Sequence, residues 1–330
     1  MPRTDVLVVS VDSTTGWGLA ASELVQSLSR AGANVAMVAT GRLPRVRTFA
    51  LTDYVEARAA RKVCIDGIAR HDPAAIIYCS MTAALLWPRP GAVWLDAIAA
   101  ENRPGRHGVW QRAVELRRLR ETPMVLAMSN RALAPLDASA VPTDVAVVPV
   151  PVERSGPPPA TRDVDVVAYA GNPEKKRVDY VLDAWSRARR GDETLVVAGT
   201  DRLEPTEGVK IAGRMPAADY RALLRRARVF VAAPRREDYG IAPLEALADG
   251  CMLVTTPAPG PYPALDIARQ LDRRLVAEDL APALRAALDD PAPMYAERAA
   301  ELVAPFSRQA VDRIVAQEVL PRLLTTWVSR

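Results

Sequence analysis

The sequence predicts an α/β protein made of two parallel-sheet domains in series, and three observations carry that prediction. Short β-branched runs alternate with amphipathic segments along the chain, the signature of strand–helix–strand units whose sheet is covered on both faces. One proline-rich stretch, PVPVERSGPPPATRD at 149–163, interrupts the alternation; five prolines in these fifteen residues permit neither a helix nor a central strand. The length, 330 residues, exceeds that of one ordinary domain.

In the first half the strand candidates are DVLVVSV (5–11), NVAMVA (34–39), AAIIYC (74–79), AVWLD (92–96), MVLAM (124–128) and VAVVPV (145–150). Between the first two lies LAASELVQSLSRAGA, in which Ala21, Leu24, Val25 and Leu28 share one helical face and Gly32 stands at the expected C-terminal position. After the linker the alternation restarts. DVVAYAG (165–171), TLVVAG (194–199), VKIAG (209–213), VFVAA (229–233) and CMLVTT (251–256) read as strands. Helices are expected at 177–189, near 217–227 and from about Ile241. The expectation is therefore two Rossmann-like domains. The closing segment, SRQAVDRIVAQEVLPRLLTTWVSR, reads as one amphipathic helix bent at Pro321, with Leu320, Leu323, Leu324 and Trp327 continuing its apolar stripe.

Composition narrows the function. Hydrophobic residues make up 49% and charged residues 25%, values of a globular protein with sizeable cores. Cys64, Cys79 and Cys251 lie far apart without paired spacing, which argues against a disulfide framework or zinc site and fits a reducing cytoplasm. With only His71 and His107, a histidine-based metal cluster is excluded. The N-terminal apolar run is short and reads as a strand, not a signal peptide, and no stretch reaches membrane-spanning length. The net charge of +4 lies wholly in residues 1–150, with 17 Lys/Arg against 13 Asp/Glu. Solvated helix faces account for such an excess; the sharper reading is a basic surface for an anionic acceptor or a membrane interface.

Three stretches carry candidate chemistry. In SVDSTTGWGLAASEL a strand ends at Val11, and a loop holding Gly16 and Gly18 leads to a helix expected near Leu19, where glycines permit close approach of an anion. In AYAGNPEKKRVDYVL, Gly171 turns into Lys175, Lys176 and Arg177 at an expected helix start. Cations there oppose the helix dipole unless a diphosphate sits before them. In REDYGIAPLEALADG, Glu237 follows a strand tip, Tyr239 and Gly240 turn, and Pro243 suits a first helical turn. The N–H groups of Gly240, Ile241 and Ala242 are then available to phosphate oxygens, and Glu245 stands about one turn on, at a solvent-facing mouth.

This last stretch, with its Glu237…Glu245 E-x7-E spacing, resembles the retaining glycosyltransferases of GT-B fold, family 4. AYAGNPEKKRVDYVLDAW resembles that family's glycine-to-lysine segment, VKIAGRMPAADYRALLRRA the strand before its next helix, and TTGWGLAASELVQSLSRAGANV its N-terminal glycine loop. The resemblance implies a GT-B fold with two Rossmann-like domains facing across a cleft. Residues 1–150 with about 308–330 would form the acceptor domain, and 151–307 the donor domain. It implies that Glu245 holds the ribose of a nucleoside-diphosphate sugar, that Glu237 contacts the sugar, and that Tyr239, Gly240 and Ile241 give main-chain contacts. Lys176, with Lys175 as alternative, would neutralise the diphosphate. Gly16 and Gly18 would approach the donor, and Arg214 and Met215 would line the base pocket.

The chain departs from the family pattern twice. Asn172 stands where an arginine is common, with Arg235 or Arg236 as substitutes, and Asp96 stands near the place of the usual first-domain histidine. The implied catalytic set is thus Glu237, Asp96 and Lys176, acting without metal or cofactor on a nucleotide-sugar co-substrate. The expected acceptor is lipid or anionic, nucleic acid is not a partner, and the location is cytoplasmic, peripheral at the inner membrane face. The rival reading is a catalytically impaired nucleotide-sugar-binding homologue or partner subunit.

Overall fold

The structure is a computed structural model and describes residues 3–12, 15–41, 43, 46, 48–137, 142–157 and 159–328. Contacts divide the chain into two compact units, Met1–Pro151 together with Arg308–Arg330, and Val152–Ser307.

The first unit is built on six parallel strands: β1 (Val6–Ser10), β2 (Val35–Ala39), β3 (Ala75–Cys79), β4 (Ala92–Leu95), β5 (Val125–Ala127) and β6 (Val145–Val147). Their order is β2-β1-β3-β4-β5-β6. β1 pairs in register with β2 and β3, so Ser10, Ala39 and Cys79 end at one edge. The chain reverses its direction of sheet growth between β1 and β3, the switch point at which α/β sheets open a crevice. Every residue of β1, β3 and β4 is buried, as a sheet covered on both faces requires.

The helix Phe49–His71 shows how such covering works without a leucine stripe. Its sheet-facing side is made of small residues, Ala57, Ala60, Cys64 and Gly67. A Cβ at Gly67 would lie 3.1 Å from both Leu7 and Val38, so glycine lets the helix backbone sit directly on the sheet. This helix is absent from the sequence prediction, because small apolar residues mark no strong periodicity.

Helix Thr15–Arg30 corrects another expectation: it begins four residues before Leu19, so Gly16 and Gly18 lie in its first turn and not in a loop. Trp17 anchors that turn by meeting Trp94 edge-on, ring centroids 6.3 Å apart, and the Ser22 hydroxyl donates to the Gly18 carbonyl. Tertiary packing here outweighs the poor helix propensity of glycine. Ser13 and Thr14 lie outside the described residues.

The terminal helix runs through Arg308–Ile314, a π-helical turn at Val315–Val319, and Leu320–Val328, and it is kinked. Pro321 has no N–H for the carbonyl of Gln317, and the wider turn just before it takes up the misfit. Val311, Val315, Val319 and Leu323 are the buried face. Leu320 and Leu324, expected in the apolar stripe, are only half-buried, because the π turn rotates the last segment about its axis. The side chain of Trp327 lies outside the described residues. Arg30 grips Asp312 through two bonds of 2.6 and 2.8 Å, and Arg308 pairs with Glu23, fastening this helix to Thr15–Arg30.

The second unit repeats the plan with five parallel strands: β7 (Val164–Tyr169), β8 (Leu195–Ala198), β9 (Val209–Gly213), β10 (Ala227–Ala232) and β11 (Met252–Thr255). Their order, β11-β10-β7-β8-β9, puts the switch point between β7 and β10. Helix Val178–Ala188 packs Val178, Val181, Ala184 and Trp185 inward, and the Trp185 indole donates to the Gly208 carbonyl at 3.0 Å. Burial of these apolar surfaces is the main stabilising term. The unit ends where it began: the amide of Val152 donates to the Phe306 carbonyl at 2.8 Å.

Candidate functional site

The β7–β10 switch point gathers most of the residues singled out in the sequence. The loops leaving the two strands are tied together, the Arg235 amide donating to the Lys175 carbonyl at 2.9 Å. Before that tie the chain makes one helical turn, Pro173–Lys176, capped by Asn172, whose side chain accepts from the Lys175 amide at 3.1 Å. Arg177 then takes a left-handed conformation, φ 48°, and starts helix Val178–Ala188. Lys175 and Lys176 therefore lie in the last turn of a short helix, where cations complement the dipole, and not at the start of the long one. Asn172 is a backbone cap. Arg235 extends this tie with a guanidinium bond to the Glu174 carbonyl, and Arg236 pairs with Asp238 at 2.6 Å.

Lys176 Nζ forms an ion pair with Glu237 Oε2, both side chains largely shielded from water. Two residues 61 positions apart are thus joined at the strand tips. Glycines allow this crowding. Gly240 has φ 83°, and a Cβ there would stand 3.0 Å from Glu237 Cγ and 3.1 Å from the Tyr262 ring. At Gly260, φ 113°, a Cβ would fall 2.2 Å from the Glu237 carbonyl oxygen. Only glycine fits either place. The Glu237 amide donates to Pro259 at 3.0 Å, fixing the loop from the other side.

Gly240 opens helix Ile241–Ala248 with no side-chain cap, and Pro243 lies within its first turn. The helix entrance carries main-chain N–H groups and the positive end of the dipole, and its Ala242 and Pro243 border a small, mostly apolar hollow that Tyr169, Lys176, Phe230 and Glu237 also line. Tyr239 is buried, while Ile241 and Ala242 are half-buried.

Glu245, four residues into that helix, departs from the sequence expectation. It does not face solvent: its side chain is 17% exposed and lies 3.4 Å from Arg221 Nη1. Burial pushes its pKa up to about 7; the Arg221 charge pulls it down and the Asp249 charge pushes it further up. Arg221 reaches further, to Asp249 at 2.7 Å and to the Glu153 carbonyl. Asp249 also accepts from the Ser155 amide at 2.8 Å and hydroxyl at 3.0 Å. Tyr169 and Tyr220, ring centroids 5.4 Å apart, stand within the electrostatic reach of Glu245, and burial first and that carboxylate second raise the pKa of both hydroxyls.

Arg214 and Met215 follow β9. Arg214 is exposed, its amide donating to Asp201 Oδ1 at 3.1 Å, and Met215 is half-buried before helix Ala217–Arg226. In the first unit Asp96 is half-buried just beyond β4, and a Cβ at Gly18 would stand 3.6 Å from Asp12 Oδ1. The Ala99 amide near Asp96 donates to both oxygens of Glu115, at 2.8 and 2.9 Å, and burial pushes the pKa of Glu115 up to about 7. Among the described residues no group of three or more His, Cys, Asp and Glu could hold a metal ion. Sequence reasoning did not find Arg221, Asp249 or Tyr262; RALLRRA offers nothing to single out its first arginine.

Two parallel sheets clothed in helices, each with a switch point in its strand order, and a kinked last helix returned to the first unit make this a GT-B fold. Solved structures agree. Sucrose-phosphate synthase from Thermosynechococcus elongatus superposes with a TM-score of 0.75 at 15% identity, covering 96% of this chain and 98% of that one. WaaG, a glycosyltransferase of lipopolysaccharide biosynthesis, gives 0.64 at 14% identity, with 98% of each chain covered. The calicheamicin glycosyltransferase CalG4 gives 0.60 at 17%, covering 98% and 99%. Residues 164–290, the stretch holding the whole β7–β10 site, match the family described as glycosyl transferases group 1. No curated protein sequence matches significantly.

Proposed function

We propose that the protein is a hexosyl-type glycosyltransferase that moves a sugar from a nucleoside diphosphate to an acceptor with retention of anomeric configuration. The observation that carries this reading is the uncapped entrance of helix Ile241–Ala248 beside the Lys176–Glu237 pair, with Glu245 on the same helix. Main-chain N–H groups and Lys176 receive the diphosphate, Glu237 meets the sugar hydroxyls, and Glu245 accepts from the ribose hydroxyls. In the transfer the bond from the anomeric carbon to the phosphate oxygen breaks, its electrons passing to the diphosphate. The acceptor oxygen bonds the anomeric carbon on the same face, and its proton passes to the leaving phosphate oxygen. Lys176 and the helix entrance stabilise the growing negative charge, so the step needs neither cofactor nor divalent metal. Arg214 and Met215 serve at the base; Asp96, Gly16 and Gly18 are the first unit's own candidate residues.

The acceptor is lipid or anionic. Helix Phe49–His71 exposes Leu51, Tyr54 and Ile65, with the exposed Arg58 and Lys62 on the turns among them, a face suited to an anionic membrane surface. No described helix is long and apolar enough to cross a membrane; the contact proposed is peripheral, at a cytoplasmic face. Vesicle sedimentation that ignores anionic lipid content would refute this part.

The test of the main reading is incubation with UDP-, GDP- and ADP-linked hexoses in chelator. Release of nucleoside diphosphate, slow alone and faster with acceptor, is expected, and the product's anomeric proton coupling should match the donor's. A second reading, a binding homologue that lost turnover, draws on Asn172 serving as a cap where a phosphate-binding arginine is common. It predicts a nucleotide sugar that binds and is never consumed.

A further inference from the structure

Glu245 cannot act alone as a ribose acceptor, because the carboxylate is held among groups that decide its orientation and its charge. Arg221, from helix Ala217–Arg226, is half-shielded and forked. Its Nε donates to Asp249 Oδ2 at 2.7 Å, its Nη2 to the Glu153 carbonyl, and its Nη1 to Glu245 Oε1 at 3.4 Å. Asp249 is fully buried and fixed independently by the amide and hydroxyl of Ser155. Ser155 in turn accepts from Arg225 Nη1 at 2.5 Å. The guanidinium is thus clamped at two points before it meets Glu245, and a planar fork so clamped fixes the position of its third contact. The remaining groups facing Glu245 are the phenols of Tyr169 and Tyr220, neither of which supplies a positive charge.

We propose that Arg221 is a positioning residue for donor binding: braced on Asp249, it holds one oxygen of Glu245 and leaves the other aimed at the ribose hydroxyls. The inference rests on the reading of Glu245 as the ribose contact. Its chemical content is that recognition of a nucleoside diphosphate depends on a residue that does not touch the nucleotide. It also makes recognition sensitive to pH. Glu245 must be ionised to accept two hydroxyl bonds, burial and Asp249 resist that ionisation, and Arg221 is the cation on its side.

The experiment is titration calorimetry of the full chain with UDP, GDP and ADP, and with the 2′,3′-dideoxy form of whichever binds, between pH 5.5 and 8.5. The unaltered chain should favour the ribose form, with affinity falling as pH drops through about 7. Arg221→Gln should weaken ribose binding about 10-fold, move the pH midpoint upward, and leave the dideoxy affinity unchanged, so that discrimination is lost. Arg221→Lys, which restores charge without the fork, should return the midpoint but not the full discrimination. Asp249→Asn should move the midpoint the other way, and thermal unfolding of each variant identifies any loss of fold. Binding with unaltered ribose preference and midpoint in folded Arg221→Gln overturns the positioning role alone. Failure of every nucleoside diphosphate to bind the unaltered chain overturns the donor reading, and this inference with it.

Discussion

Each unit buries one glutamate whose pKa rises to about 7, Glu115 in the first and Glu245 in the second, and burial is the leading cause in both. Their surroundings differ. Glu115 takes the one Ala99 amide between its two oxygens, so its hydrogen bond comes from the protein's own backbone. Among the described residues the Glu245 carboxylate has one long hydrogen-bond contact, to Arg221, and it stands on the helix whose entrance carries no side-chain cap. On the proposed reading, the contrast is between a raised carboxyl engaged by the backbone and one left open to a ligand. Desolvation alone marks structure as readily as chemistry.

The largest expected effect tests that distinction directly. Glu245→Ala should lower affinity for a nucleoside diphosphate by about 100-fold or more, as removal of a charged acceptor for two hydroxyls demands, whereas Glu115→Gln should leave it unchanged; calorimetry compares them. Lys176→Ala comes next, expected to slow turnover by about 100-fold, with the diphosphate less well stabilised as it leaves. Equal turnover in a steady-state assay would remove Lys176 from the proposed mechanism.

The pH dependence of stability has a definite sign. A carboxyl whose folded pKa is raised binds more protons folded than unfolded, so its contribution falls as pH climbs from about 4.5 to about 7. Glu115→Gln should match the unaltered chain at about pH 4 and exceed it at about pH 8, by on the order of 3 kcal/mol, in denaturant midpoints. Gly240→Ala should cost about 1–3 kcal/mol, through its left-handed backbone and the approach of Glu237 and Tyr262. The smallest effect belongs to the Arg30–Asp312 pair. Arg30→Ala should change stability by less than about 1 kcal/mol, as for other solvent-screened pairs.

The strands were readable from the sequence because buried parallel strands need unbroken β-branched runs, as in VLVVS and AIIYC. The Glu237-to-Glu245 stretch was readable because one strand tip, one turn and one helix entrance lie within a dozen residues. What escaped was nonlocal. Lys176 meets Glu237 across 61 positions and Arg221 meets Glu245 across 24, and no periodicity encodes either. The first turn of helix Thr15–Arg30 escaped because glycines normally weaken helices, while the Trp17–Trp94 contact that supports this one comes from a distant strand. Helix Phe49–His71 escaped because alanines, not leucines, line its inner side.

The amide of Val152 and the carbonyl of Phe306 clasp the start and finish of the later unit through a single hydrogen bond. That unit is one continuous fragment whose two ends meet, the arrangement in which expression alone or permutation at the paired ends disturbs a domain least. The earlier unit, written in two pieces, can be made on its own only by joining Pro151 to Arg308 through a short bridge.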